Sequence, residues 1–137
     1  MKSLVLYYSL TGHTKALAQS LAAREDAERA EIADWKKPGA LKSFLAGCPA
    51  AMGHKAWPIR PLPVNLADYD RIFLLAPIWA GNVPPAVDAV LERFPEGKTV
   101  EVTLVSGSGK SKCAGWLRKT LEDQGCSVAE ITDVKAE

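Results

Sequence analysis

Neither sign of charge dominates this chain: its 137 residues carry 17 Lys and Arg against 16 Asp and Glu. A nucleic-acid binder normally shows a basic excess or stripe, and attraction to an anionic membrane needs the same, so neither partner is expected. Cysteine is scarce. Cys48, Cys113 and Cys126 form no Cys-x-x-Cys pair, and the two histidines, His13 and His54, supply no metal-ligand spacing. An odd, scattered count argues against a disulfide framework and against structural zinc, and no metal site is expected. No apolar run approaches the ~18 residues of a membrane span. The run at residues 4–8 is too short for a secretory leader, so the expected setting is cytoplasmic. Repeats, linkers and low-complexity tracts are missing as well, and residues 1–137 read as one domain.

What is present is alternation. Residues 3–8 (SLVLYY) are a continuous apolar run, the pattern of a strand buried on both faces. Residues 13–24 come next as a helix with Leu17, Ala18, Leu21 and Ala22 as its inner stripe. A weaker strand at 29–33 precedes a short helix that opens at Pro38, carries Leu41, Phe44 and Leu45 on one face and stops at Gly47. Residues 48–68 break the rhythm, since Pro49, Pro58, Pro61 and Pro63 exclude a regular helix. This reads as a long ordered excursion, either a lid or docking surface carrying Trp57 and Tyr69, or cover for the sheet. Alternation then resumes: strand 71–76, helix 84–94, strand 99–105, helix 112–124 ending at Gly125, and strand 127–132. Such a series predicts an α/β fold with a parallel sheet and helices on both faces.

Ligands of such sheets bind beyond the carboxyl ends of the strands, where the strand order reverses. Three loops fall there. Ser9, Leu10, Thr11, Gly12, His13 and Thr14 join a buried strand to a helix start, where free N–H groups and the helix dipole favour a phosphate. One hydroxyl suffices for a helix cap, whereas this loop places three around a glycine, which points to phosphate binding. No Gly-x-Gly-x-x-Gly fingerprint is present, so a dinucleotide is not expected. Gly109-Lys110-Ser111 lacks the first glycine of a Walker A loop, because Leu104 stands in its place.

The strand followed by Ser-x-Thr-Gly-His-Thr resembles the phosphate loop of the flavodoxins. Tyr69-Asp70, the strand 71–76, and then Pro77, Ile78, Trp79, Ala80, Gly81 and Asn82 resemble the stretch with which short flavodoxin-like proteins hold their flavin ring. Ser106, Gly107, Ser108 and Gly109 match the third loop in position. The resemblance implies a three-layer, doubly wound, flavodoxin-like α/β fold with five parallel strands in the order 2-1-3-4-5 and no final helix. It implies that FMN binds non-covalently, its phosphate in residues 9–14 and its ring along residues 77–82, with Trp79 stacking on or covering the ring and residues 106–109 on the other side. The third loop has no tyrosine, unlike many flavodoxins, and Lys110 is a solvated lysine near the ring edge.

The function implied is electron transfer through FMN, with a redox partner protein or a small-molecule acceptor. One alternative is an NAD(P)H-dependent FMN reductase acting on a quinone or similar acceptor. Another is an interaction module of the same fold that has lost FMN. No side chain of the three loops stands out as a general acid or base, which suits electron or hydride transfer. Cys113, beside the third loop, reads as a packed cysteine, although a helix N-terminus there would favour a thiolate. Without a final helix, one sheet face is expected to expose an apolar patch, for which a homodimer would be a natural cover.

Overall fold

The computed structural model describes residues 2–9, 12–34 and 56–136. The expected helix between Pro38 and Gly47 and the residues Cys48 and His54 lie outside them. Five strands form the sheet: β1 (Ser3–Tyr7), β2 (Glu28–Glu31), β3 (Arg71–Pro77), β4 (Thr99–Ser106) and β5 (Ser127–Lys135). Each adjacent pair is parallel, as the sequence pattern anticipates, and their order is β2-β1-β3-β4-β5, as the resemblance implies. The central strands are apolar throughout because helices cover both of their faces. Leu4, Leu6, Ile72, Leu74 and Leu104 are fully buried.

Helix α1 (His13–Glu25) packs on one face, and α2 (Pro85–Leu91) and α3 (Ala114–Asp123) belong to the other. Alanines let α1 approach closely: Thr14, Ala18 and Ala22 are its buried line. Leu17, expected on the inner stripe, is instead 38 % exposed. It lies a third of a turn off that line, on a flank that the small α1 contact does not cover. Strand β5 runs to Lys135, three residues beyond the expected end, and no helix follows it among the described residues.

The α1 face does not present the bare apolar patch expected of it. Its strand residues alternate in β4 and β5, with Glu101 beside Glu130, Thr103 beside Thr132 and Val105 beside Val134. Arg71 lies over the Phe73 ring, 4.5 Å from its centre, and pairs with Glu101. Among the described residues Leu17 is the sole exposed large hydrophobic side chain. Polar alternation is the pattern of a sheet face that meets water.

The described part of the excursion, residues 56–68, is fastened down. Ile59 bridges to Asp34 in antiparallel fashion, and the Arg60 N–H donates to the Ala33 carbonyl at 2.8 Å. A 3-10 turn at Leu66–Asp68, capped by the Asn65 side chain, buries Leu66. These contacts make this stretch cover for the sheet.

Candidate functional site

Strand order reverses at β1, whose neighbours are β2 and β3, and the first two candidate loops leave the carboxyl ends of β1 and β3. The third leaves β4, one strand further on. Parallel pairing therefore brings three segments, far apart in sequence, to one end of the sheet.

The first loop enters α1 through Gly12, whose φ of 101° is in the left-handed region that glycine reaches without strain. Among the described residues a Cβ added there would meet nothing within 4 Å. The Gly12 N–H donates to Ser9 Oγ at 3.0 Å, which leaves the Ser9 hydroxyl proton available to a ligand. Among the described residues no side chain caps α1, and its first turn has no acidic residue. The N–H groups of that turn have no intrahelical acceptor, so the end presents positive partial charge to solvent. Gly12 and His13 are exposed and Thr14 is buried, while Leu10 and Thr11 lie outside the described residues.

The second loop is a tight reversal. Trp79 and Asn82 exchange both backbone hydrogen bonds, at 2.7 and 3.0 Å. Ala80 and Gly81 between them have φ of 53° and 84°. Two positive φ values in a two-residue turn define the type I′ geometry, in which alanine costs about 1 kcal/mol relative to glycine. The turn is pinned from both sides, since the Ile78 N–H donates to Val105 and the Lys112 N–H to the Gly81 carbonyl, both at 2.9 Å.

Trp79 does not present an exposed face here. It is 3 % exposed and lies edge-on to Tyr8 and Trp57, with centroids 5.9 and 6.0 Å apart. Its position after a buried strand suggests a ring-covering role. A large apolar ring at the end of such a strand has instead found the core, and it backs the loop from behind.

Behind that indole stands a carboxylate to which no sequence motif points. Asp34 accepts the Tyr8 hydroxyl at 2.7 Å and the Trp57 indole N–H at 3.0 Å. Burial and this bond push the Tyr8 phenol far above its ordinary value. The cluster ties β1, β2 and the excursion together beneath the loops. Nothing in the spacing of 8, 34, 57 and 79 announces it.

The third loop folds on itself. Ser106 and Ser108 both donate to the Lys110 carbonyl, at 3.3 and 3.4 Å, and the Ser106 carbonyl accepts the Ala136 N–H at 2.7 Å. Between the second and third loops lies a cavity of about 380 Å³, bordered by Ile78, Gly81, Ser106, Ser108, Lys110 and Lys112. That volume is at the lower end for organic-ligand sites, enough for a planar ring system whose charged tail lies outside. The Cys113 thiol is fully buried and burial pushes it up, so it is a packing residue. Among the described residues no group of His, Cys, Asp and Glu is placed to hold a metal ion. No helix among them is long and apolar enough to cross a membrane.

No protein-family model matches the chain. Solved structures do. A Lactobacillus acidophilus flavoprotein in complex with FMN is 23 % identical, with a TM-score of 0.76 over 95 % of this chain and 91 % of that one. A Bacteroides eggerthii protein described as a flavoprotein is 26 % identical, with a TM-score of 0.79 over 98 % and 90 %. The two-electron-reduced Megasphaera elsdenii flavodoxin matches at 18 % identity and a TM-score of 0.63 over 95 % and 83 %. Sheet order, helix placement and these likenesses agree: the architecture is that of the flavodoxin-like proteins, in a short version whose last described element is the fifth strand.

Proposed function

We propose that the chain binds FMN non-covalently and serves electron transfer. The observation that carries this reading is the pairing of an uncapped, acid-free helix start behind Gly12 with a ring-sized cavity at the same end of the sheet. The FMN-bound Lactobacillus neighbour, matched along 95 % of this chain, supports it. Ser9, Leu10, Thr11, Gly12, His13 and Thr14 would hold the phosphate, through helix-start N–H groups and hydroxyls. Pro77 to Asn82 and Ser106 to Gly109 would hold the ring, with Trp79 acting from behind the loop. Bound FMN supplies one- and two-electron chemistry that no side chain here provides. The protein's part is to orient the ring at an open edge where a redox partner protein or a small-molecule acceptor can reach it. The proposal sets this chemistry in the cytoplasm.

The test is an absorption spectrum of the purified protein after incubation with excess FMN and removal of the free fraction. Retained flavin bands near ~375 and ~450 nm, with quenched fluorescence, are the expected result. Gly12→Val, which denies the φ of the helix entry, is expected to weaken FMN binding at least about tenfold. A protein that retains no FMN overturns the reading.

A further inference from the structure

The rim of the ring-sized cavity carries charge of one sign, unlike the chain as a whole. Lys110 and Lys112 border it, and no carboxylate does among the described residues. Neither lysine has a salt-bridge partner among the described residues. Asp34, at the same end of the sheet, is engaged by the Tyr8 hydroxyl and the Trp57 indole N–H. Lys135, whose Cβ sits 3.2 Å from where a Cβ on Gly109 would stand, adds a third cation behind the loop.

Lys112 differs from an ordinary solvated lysine in how it is held. Its N–H donates to the Gly81 carbonyl at 2.9 Å. Its Cδ and Cγ lie 3.1 and 3.3 Å from the position of a Cβ on Gly81. The methylenes are therefore laid along the turn, and the side chain borders the cavity from a fixed root.

We propose that Lys112, assisted by Lys110, sets the reduction potential of the site by stabilising the negative charge that the flavin gains on reduction. The inference rests on the FMN reading above and deepens it. Uptake of two electrons and one proton leaves the ring system with one net negative charge, whichever donor supplies the electrons. A cation near the ring lowers the energy of that charged form and leaves the neutral oxidised form nearly untouched, so the potential rises. Oxidised and reduced affinities then differ by the same factor that shifts the potential.

The experiment uses the FMN-loaded protein, with Lys112→Met and Lys112→Arg. Methionine keeps a long side chain on Gly81 and leaves the backbone bond in place, but carries no charge; arginine keeps the charge. Oxidised affinity is read from fluorescence quenching, and the two-electron midpoint from anaerobic titration with dithionite. Lys112→Met is expected to weaken reduced-FMN binding about tenfold relative to oxidised-FMN binding, a downward shift of about 30 mV for a two-electron couple. Lys112→Arg is expected to stay within about threefold of the unaltered protein, and 1 M salt to shrink the Met effect, because exposed charges are screened over about 3 Å there. Equal loss of both affinities would make Lys112 a cofactor clamp and overturn the proposal. So would an unchanged midpoint, or an arginine variant that behaves like the methionine one. Failure of the unaltered protein to retain FMN overturns the cofactor reading itself, a result distinct from all of these.

Discussion

The two faces of the sheet solve the same burial problem with unequal means. On the face of α2 and α3, one continuous core runs from Leu4 and Leu6 through Leu74 and Leu104 to Leu117 and Leu121, and Trp79 and Phe94 belong to it. On the face of α1 the cluster is small: Val5, Tyr7, Ala18, Ala22, Phe73 and Leu75. Beyond that cluster the sheet alternates polar residues and lays Arg71 across Phe73. A doubly wound sheet thus does not need equal cover on both faces. Where the described helices cover less of the sheet, strand chemistry compensates.

Adjacent residues of β3 allow a direct comparison. Leu74 faces the large core and Leu75 the small one, with exposures of 0 % and 2 %. Leu74→Ala is expected to cost about 4 kcal/mol and Leu75→Ala about 2, since a dense surround collapses less around a cavity. Equilibrium urea unfolding reads both, and equal costs would erase the distinction between the faces.

The face of α2 and α3 also holds a buried carboxylate, Asp88, which is 4 % exposed and, among the described residues, has neither oxygen hydrogen-bonded. Burial, reinforced by Glu92, pushes its carboxyl up to about 7. The native chain then keeps a proton that the unfolded chain releases near pH ~4, so stability falls as pH rises from about 4 to about 7 and levels off above. The loss is on the order of 4 kcal/mol, and Asp88→Asn is expected to flatten that slope in unfolding curves taken across the range.

The α1 face should respond weakly. Glu101→Gln leaves Arg71 unpaired on a partly exposed surface and is expected to cost below about 1 kcal/mol, less again in high salt. Because the described part of that face carries polar residues, light scattering at micromolar concentration is expected to give a monomer. A dimer that Thr103→Arg dissociates would restore the second subunit as the cover.

Element order is legible in the sequence because the buried strands are continuous apolar runs and α3 stops just before Gly125. The first loop is legible for a local reason, since hydroxyls around Gly12 have a meaning that needs no tertiary knowledge. What escapes is everything decided by contact across the chain. Leu17 reads as core by periodicity, yet α1 buries a narrower line. Trp79 reads as a ligand residue by position, yet Tyr8 and Trp57 claim it. Asp34 lacks any motif, and its role exists only once β1, β2 and the excursion meet. The end of β5 is hard to place because its pairing with β4 carries a register shift after Val100, which blurs the alternation.

That register shift bears on how the molecule behaves among copies of itself. Among the described residues the sheet has two margins, β2 and β5, and an unpaired strand at a margin invites another chain to add on. Strand β2 spans four residues, three of them charged, Glu28, Arg29 and Glu31, which offers a short and repulsive template. Strand β5 is nine residues long, and its protection is different: a bulge interrupts its ladder, and Glu130, Asp133 and Lys135 punctuate the remainder of the strand. An irregular, charged margin pairs poorly in register with a neighbour, so the strand that closes the sheet also guards the protein against edge-to-edge aggregation.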